Sequence, residues 1–524
     1  MTQAADALAA EILSGSIKTR PDLERSKKGA ARRFRLSRYP SNSEVLSALP
    51  SEKRDEFSHL LRVHPRRSAS GIVVVTAFSA PYACPHGTCV FCPGGPRWGT
   101  PQSYLPGSPG MKTALRLGFD PSGQVRASLE KYTSNGHDVS KVEAIIEGGT
   151  FIAVPEDYQE GFVRGVYEGL NGSTSGSLEA AQVSNENASS RCVGLTLETK
   201  PDWCRPRDVD LMLSYGITRL EIGVQALRNE VLKRSNRGHT VEDTLKAFRV
   251  ARDAGLKVTA HMMPGLPGSD YDSDLADFKR LFEDEMLKPD MMKVYPTLVV
   301  PGTALERLHS SGQYRPYDLE TVVELLSEMK RFVPSWHRIM RIQREIPAYE
   351  ISGGVKEGNL RELVLTRAKV KGIACSCIRC REVALGDPAT LGEDDELVFR
   401  SERYAASDGE EFFGSFHYSR SGRIAGFVRL RLPSADAHRP EAAGSCLLRE
   451  LRVYGRVVPF GARDGRAFQH RGLGGALMSE AEAAALEYGA RRVVVTSAVG
   501  TRNYYRRLGY ERLGPYMAKV LSTR

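Results

Sequence analysis

Two groups of three cysteines carry the first chemical signal in this 524-residue chain. The segment Cys84-Pro-His-Gly-Thr-Cys89-Val-Phe-Cys92-Pro-Gly-Gly places three thiolates on one short loop. Thiolates that close on a flexible turn can each hold an iron of a 4Fe–4S cluster and leave the fourth iron for an exogenous ligand. They can also bind a single zinc, with His86 as the fourth ligand. The second group, Cys375-Ser-Cys377-Ile-Arg-Cys380, supplies three ligands for tetrahedral zinc. Its fourth ligand is not local, and a histidine brought in by folding, such as His309 or His337, could supply it. The alternative is a set of reduced, unligated thiols. Clustered cysteines in a reducing compartment read as metal ligands and not as disulfides. Cys192 and Cys446 lie in apolar stretches and are expected to be buried; Cys204 has no assigned role.

A third signal is Phe468-Gln469-His470-Arg471-Gly472-Leu473-Gly474-Gly475-Ala476, a glycine-rich turn that opens a helix. Backbone amides at a helix start bind phosphate, and glycine removes the side chains that would block the approach.

Such groups need elements to hold them. From Gly71 onward short apolar runs recur, each followed by a polar turn and a longer amphipathic segment: Ile72–Thr76, Val142–Ile146, Val193–Leu197, Arg219–Val224, Lys257–Met262 and Met292–Tyr295. This alternation predicts about six βα units around a parallel sheet, a partial barrel short of the full eight. The cysteine loop then follows the first strand, at the end where barrel chemistry takes place. The stretch Asn171–Ser190, rich in Gly, Ser, Thr and Asn, reads as a surface excursion or weak helix. After residue 345 the pattern breaks, and from residue 396 the texture is β-rich, with a helix at Leu473–Tyr488: an α+β domain. The boundaries expected are therefore a basic N-terminal region 1–69, a barrel 70–345, a metal-binding linker 346–395 and a final domain 396–524.

Composition agrees with a protein that buries sizeable cores: 41% hydrophobic and 26% charged residues. No apolar run is long enough to span a membrane and no apolar signal core opens the chain, so a cytoplasmic protein is expected. The net charge of +10 points to a polyanion, and the basic excess lies early, at Lys18, Arg20, Arg25, Lys27, Lys28, Arg32, Arg33, Arg35 and Arg38. This cluster is either a phosphate-binding surface or a solvated, partly disordered arm.

The cysteine loop resembles the cluster loop of radical S-adenosylmethionine enzymes, with one residue more than their usual C-x3-C-x2-C spacing. The words Cys84-Pro-His, Cys89-Val-Phe-Cys92-Pro-Gly-Gly and Thr100-Pro-Gln-Ser-Tyr104 resemble one branch, the catalytic subunit of the Elongator complex and its archaeal and bacterial relatives. Similar words follow at Glu147-Gly148-Gly149-Thr150-Phe151, Leu195–Asp202, Thr218–Gln225, His261–Gly268, Lys293–Thr297 and Arg341–Pro347. The last domain resembles GNAT acetyltransferases in Gln469-x-x-Gly472-x-Gly474, in the strand Arg449-Glu450-Leu451-Arg452-Val453-Tyr454, and in Asn503-Tyr504-Tyr505-Arg506.

The resemblance implies a radical barrel followed by a GNAT domain. It implies a 4Fe–4S cluster on Cys84, Cys89 and Cys92, with Gly148, Gly149 and Thr150 at the methionine end of S-adenosylmethionine, and zinc on Cys375, Cys377 and Cys380. Acetyl-CoA would lie on Glu450, Leu451, Arg452 and Val453, on the turn Gln469, Gly472, Leu473, Gly474 and Gly475, and on Tyr505 with Tyr504 beside it. Lys141 would be a contact for acetyl-CoA from outside that domain. The implied reaction is carboxymethylation of carbon 5 of a wobble uridine: a deoxyadenosyl radical takes hydrogen from the acetyl methyl group, and hydrolysis releases CoA. The partner is the tRNA anticodon stem-loop, gripped by the basic region 18–38, and whether the chain forms a homodimer is left open. Two rival readings are a protein lysine acetyltransferase whose barrel is a scaffold, and a non-catalytic tRNA-binding protein.

Overall fold

The computed structural model describes residues 2–385, 395–455 and 472–522. The N-terminal region is folded: helices α1 (Thr2–Leu13), α2 (Arg20–Arg33), α3 (Asn42–Ala48) and α4 (Arg54–Leu61) enclose their own core of Leu8, Ile12, Leu23, Val45, Leu46 and Leu61. Thr19 and Asp22 cap α2 reciprocally, as Ser41 and Glu44 cap α3, satisfying amides that a helix start leaves open. Most of the basic cluster is therefore an ordered exposed helix face; Lys27 alone is buried and reaches Glu24 at 3.2 Å.

Seven parallel strands follow in simple sequential order: β1 (Val73–Phe78), β2 (Lys141–Glu147), β3 (Arg191–Thr199), β4 (Arg219–Gln225), β5 (Lys257–Met262), β6 (Met291–Val294) and β7 (Arg338–Arg341). Each crossover carries a helix on the outside, as parallel pairing demands. The sheet curves into a half-barrel whose edge strands β1 and β7 do not pair, leaving a lateral seam. The apolar runs predicted six of these strands. The seventh, Arg338-Ile-Met-Arg341, has arginine at both ends and is too short to stand out as an apolar run. Within Asn171–Ser190 the chain forms one helix, Leu178–Asn185, begun by Ser177 accepting from the amide of Ala180.

The second sheet has the order β13-β14-β12-β11-β10-β9-β8, from β8 (Leu397–Ala406), β9 (Gly409–Tyr418), β10 (Ile424–Leu432), β11 (Ser445–Val453), β12 (Arg492–Val495), β13 (Glu511–Leu513) and β14 (Tyr516–Val520). Only β11 and β12 run parallel, and the helix Leu473–Glu487 packs across β9, β10 and β11. Cys446 lies in this core and Cys192 in that of the barrel.

The second domain docks against the N-terminal ends of the barrel strands through buried ion pairs. Arg449 of β11 holds Asp290, just before β6, at 2.5 and 2.8 Å, and also Glu411 at 2.8 Å. Arg431 of β10 holds Asp253 at 2.7 Å, and Arg429 donates to the Trp336 carbonyl at 2.7 Å. Arg449, Arg431, Arg429 and Asp290 are at most 1% exposed. No helix among the described residues is long and apolar enough to cross a membrane.

Candidate functional site

The cysteine loop leaves β1 and turns over the C-terminal ends of the strands. Cys84 Sγ lies 3.8 Å from Thr150 Oγ1, and Cys92 Sγ lies 3.2 Å from Ser103 Oγ. Burial raises the Cys84 thiol and pushes Cys92 up to about 12. Cys89 Sγ is approached by two nitrogens, His86 Nε2 at 3.2 Å and Arg237 Nη1 at 3.4 Å. Arg237 is 7% exposed, donates also to the Gly223 carbonyl at 2.6 Å, and leaves its Nε without a hydrogen bond. No carboxylate lies within ion-pairing distance of it among the described residues. A buried guanidinium in that position calls for an anion. His86, pulled down to about 4 by burial and by nearby Lys200 and Arg237, is neutral at ordinary pH and does not add to the positive charge.

The Gly148-Gly149-Thr150 turn closes this end of the cavity. A side chain at Gly148 would meet Ser79 Oγ at 2.0 Å, and Gly149, at φ +72°, stands with its Cβ position 3.5 Å from Cys84 Sγ. Glycine suits Gly149 through its positive φ, and Gly148 through its close approach to Ser79. The cavity beneath is about 400 Å³ and is lined by Glu147, Glu198, Glu221, His261 and Tyr295. Burial, reinforced by the Glu198 carboxylate, raises Glu147 to about 8, so it keeps its proton at neutral pH. Glu198 accepts from Tyr104 at 2.9 Å. Burial alone would raise Glu221, but Lys293, His261 and Arg219 outweigh it and hold the carboxylate well below its ordinary range.

Cys375, Cys377 and Cys380 converge differently: their sulfurs all lie within 4.8 Å of one another. Thiolates around one zinc at 2.3 Å stand about 3.8 Å apart, so this group suits a single ion. The three loop thiols form no such tight group among the described residues. Neither His309 nor His337 lies within 4.8 Å of all three sulfurs; His309 Nδ1 lies 3.0 Å from the Tyr314 carbonyl, and His337 Nδ1 lies 2.8 Å from that of Pro289 while its buried Nε2 makes no hydrogen bond. The side chain beside the sulfurs is instead Lys330, 3.6 Å from Cys375 Sγ and 1% exposed.

In the second sheet β11 pairs with β12 only from Ser445 to Leu448. Glu450, Leu451 and Arg452 continue along β10 after β12 has ended at Val495, with Val453 opposite Gly426. The two strands therefore splay, and the second half of β11 presents backbone to a notch where an extended ligand can pair. The Glu450 side chain is not free for that ligand, since Arg429 holds it at 2.9 Å. Gly472, φ +85°, begins the helix Leu473–Glu487, and among the described residues nothing stands within 4 Å of a Cβ placed at Gly475. A side chain at Gly474 would meet the Tyr504 hydroxyl at 2.7 Å. Tyr504 thus reaches the helix start, whereas Tyr505 is packed in the core with its ring 5.9 Å from that of Tyr510. Gln469 lies outside the described residues.

Lys141 opens β2, at the opposite end of the strand from Gly148, and faces this domain. Its register partner on β3 is Arg191, and the backbone at Gly500 packs on Arg191 and Cys192 two residues before the helix that carries Tyr504. Burial lowers Lys141 to about 8, against the opposing effect of Asp138.

Residues 176–281 match the radical SAM superfamily and 289–370 the radical SAM C-terminal domain. Residues 1–69 match the ELP3 N-terminal domain, and 384–510 the acetyltransferase (GNAT) family. The chain is 43% identical over 491 residues to the tRNA uridine(34) acetyltransferase of Methanocaldococcus jannaschii, covering 92% of this chain and 91% of that one. It is 42% identical over 511 residues to human Elongator complex protein 3, covering 95% and 93%. A solved structure of archaeal Methanocaldococcus infernus Elp3 with residues 1–46 deleted superposes with a TM-score of 0.77 at 40% identity, covering 86% of this chain and all of that one.

Proposed function

Because this chain is an enzyme of the Elongator complex protein 3 family, we propose that it carboxymethylates carbon 5 of the wobble uridine of tRNA, with acetyl-CoA as carbon source and S-adenosylmethionine as radical source. One observation carries this reading: the cavity under the cysteine loop adjoins, through shared lining residues, a second cavity that reaches the Glu450 and Arg452 side chains of β11. Two unrelated activities would not need to share an interior.

Cys84, Cys89 and Cys92 would hold the 4Fe–4S cluster, and cluster and S-adenosylmethionine together would supply the hydrogen-abstracting chemistry. Gly148, Gly149 and Thr150 offer backbone to the methionine end, and Arg237 receives its carboxylate. Protonated Glu147 donates a hydrogen bond without bringing a further negative charge into the cavity. Enclosure by the strands keeps water away from reactive species. In the other domain Glu450–Val453 offer backbone to pantetheine, and the amides of Gly472, Leu473, Gly474 and Gly475 receive the pyrophosphate. Tyr504, with Tyr505 behind it, stands at the thioester end, where a phenol can protonate a departing thiolate; Lys141 faces the same end from the barrel. The basic face of α2 binds the tRNA backbone, and the anticodon loop offers bases that can leave the stack.

Arg237→Gln is expected to weaken S-adenosylmethionine binding about tenfold to a hundredfold, the worth of a charge-assisted hydrogen bond. Equilibrium titration of the cluster-loaded protein checks this, and an unchanged Kd would remove Arg237 from the site. The tight triplet takes zinc, so Cys377→Ser is expected to abolish stoichiometric zinc in metal analysis while Cys89→Ala retains it. Equal zinc in both variants would refute that assignment. The reaction itself is tested with carbon-13-labelled acetyl-CoA, S-adenosylmethionine, dithionite and tRNA under anaerobic conditions. The account expects a labelled carboxymethyluridine in the nucleoside digest; an unlabelled digest from protein holding a full cluster would sink it.

A further inference from the structure

The turn that carries Tyr504 is held from outside its own domain. Tyr504 and Tyr505 sit on a helix of five residues, Arg502–Arg506. A helix that short has too few internal hydrogen bonds to fix its own place, so its anchors decide where its side chains stand. Residues 502, 503 and 506 share one face of it, and 504 and 505 the other. The second face meets the GNAT domain. Tyr505 is packed in its core, and the Tyr504 hydroxyl stands 2.7 Å from the place a Cβ at Gly474 would take.

The first face belongs to the barrel. Glu186 accepts from Arg502 at 3.1 Å and from Arg506 at 2.5 and 3.3 Å. Asn503 donates to the Glu186 carbonyl at 3.1 Å and to the Asn187 side chain at 3.0 Å. Glu186 and Arg502 are 7% and 2% exposed. The polar residues of that face thus all end on two consecutive residues of the barrel. Ahead of the helix, a side chain at Gly500 would meet the Cys192 carbonyl at 2.8 Å, so the chain enters it flat against β3.

Glu186 is itself fixed. It follows the helix Leu178–Asn185 in the crossover from β2 to β3. Asn185, fully buried, donates to Asn171 Oδ1 at 2.7 Å and to the Ser190 carbonyl at 3.2 Å, and accepts from the Cys192 amide at 2.7 Å. Gln182 donates to the Ser214 carbonyl at 2.9 Å. The excursion is therefore an anchored arm with a carboxylate at its tip. The joint between the domains is already closed elsewhere by Arg449 and Arg431, so what the arm adds is the placement of one short helix.

We propose that Glu186 is a positioning residue for the acetyl-CoA half of the reaction: from the barrel it sets where Tyr504 stands at the thioester end. This rests on the role given to Tyr504 above, and Glu186 acts only through it. Misplacing a reacting group by about 1 Å can cost a hundredfold in rate. Pantetheine and pyrophosphate, received by β11 and the start of the helix Leu473–Glu487, would bind as before.

Glu186→Gln keeps the shape of the side chain and removes its charge. Arg506→Gln weakens the same clamp from an exposed residue and decides if the first variant fails to fold. Full-length, cluster-loaded protein is labelled with 3-fluorotyrosine, and the Tyr504 fluorine resonance is identified by its loss in Tyr504→Phe. Glu186→Gln should move that resonance and leave the Kd of acetyl-CoA and of S-adenosylmethionine unchanged. It should slow CoA release in the complete reaction, at saturating acetyl-CoA, by about tenfold or more. In a Tyr504→Phe background it should slow release no further, because two residues acting through one group are not additive. An unmoved resonance, or the same loss of rate with and without the Tyr504 hydroxyl, would overturn the proposal. If the resonance moves while Tyr504→Phe alone releases CoA at the wild-type rate, Glu186 still places Tyr504, and it is the thioester role proposed above that fails.

Discussion

Asp290→Ala is expected to destabilise the protein by about 3–5 kcal/mol. Its carboxylate takes two hydrogen bonds from Arg449, at 2.5 and 2.8 Å, and one from the Val258 amide at 2.8 Å, with every partner inside the joint between barrel and GNAT domain. Truncation leaves a fully buried guanidinium with only Glu411 and the Leu256 carbonyl to receive it, and an amide that has lost its acceptor. Burial alone would raise Asp290, but Arg449, Arg252 and Arg429 outweigh it and hold the carboxyl far below its ordinary range. A carboxyl whose folded-state pKa is lowered contributes its full stability above the unfolded value near 4, and that contribution is lost as the pH falls below it. Urea unfolding at neutral and acid pH checks both points: the gap between wild type and variant should shrink towards acid. A neutral-pH difference below about 1 kcal/mol would place the interface energy elsewhere.

The second large effect is on chemistry. Cys89→Ala should bring S-adenosylmethionine cleavage and uridine modification down to background while leaving acetyl-CoA binding unchanged. Cys89 is the loop thiol that both His86 and Arg237 approach; in the proposed reading alanine removes an iron ligand while deleting a single sulfur atom. Iron and sulfide content together with nucleoside analysis measure this. Modification persisting at the wild-type rate in a variant without a cluster would mean that the loop serves only structure.

Much of this arrangement is legible in the sequence because it is local. The cysteine spacings, the Gly148-Gly149 turn and the glycines at Gly472–Gly475 are short words whose chemistry needs no tertiary information. Six barrel strands show as apolar runs because strands covered on both faces read that way. What escapes comes from distant segments or offers no periodicity. Lys330 stands 45 residues before the cysteine it touches, and Arg237 lies far along the chain from Cys89. Neither has a spacing that marks it, and only folding brings these cations to sulfur. Strand β7 has two arginines in four residues, and the N-terminal core hides among basic residues because α2 buries only one narrow face. The splaying of β11 from β12 is a property of register, which no single strand carries.

The most direct test of the account asks whether one reaction uses both ends of the half-barrel. Cluster-loaded protein is given acetyl-CoA with a fully deuterated acetyl group, S-adenosylmethionine, dithionite and tRNA, and the 5'-deoxyadenosine formed is analysed by mass spectrometry. The account predicts deuterium in 5'-deoxyadenosine. Unlabelled 5'-deoxyadenosine alongside normal release of CoA would contradict it, and would mean that the two domains act separately.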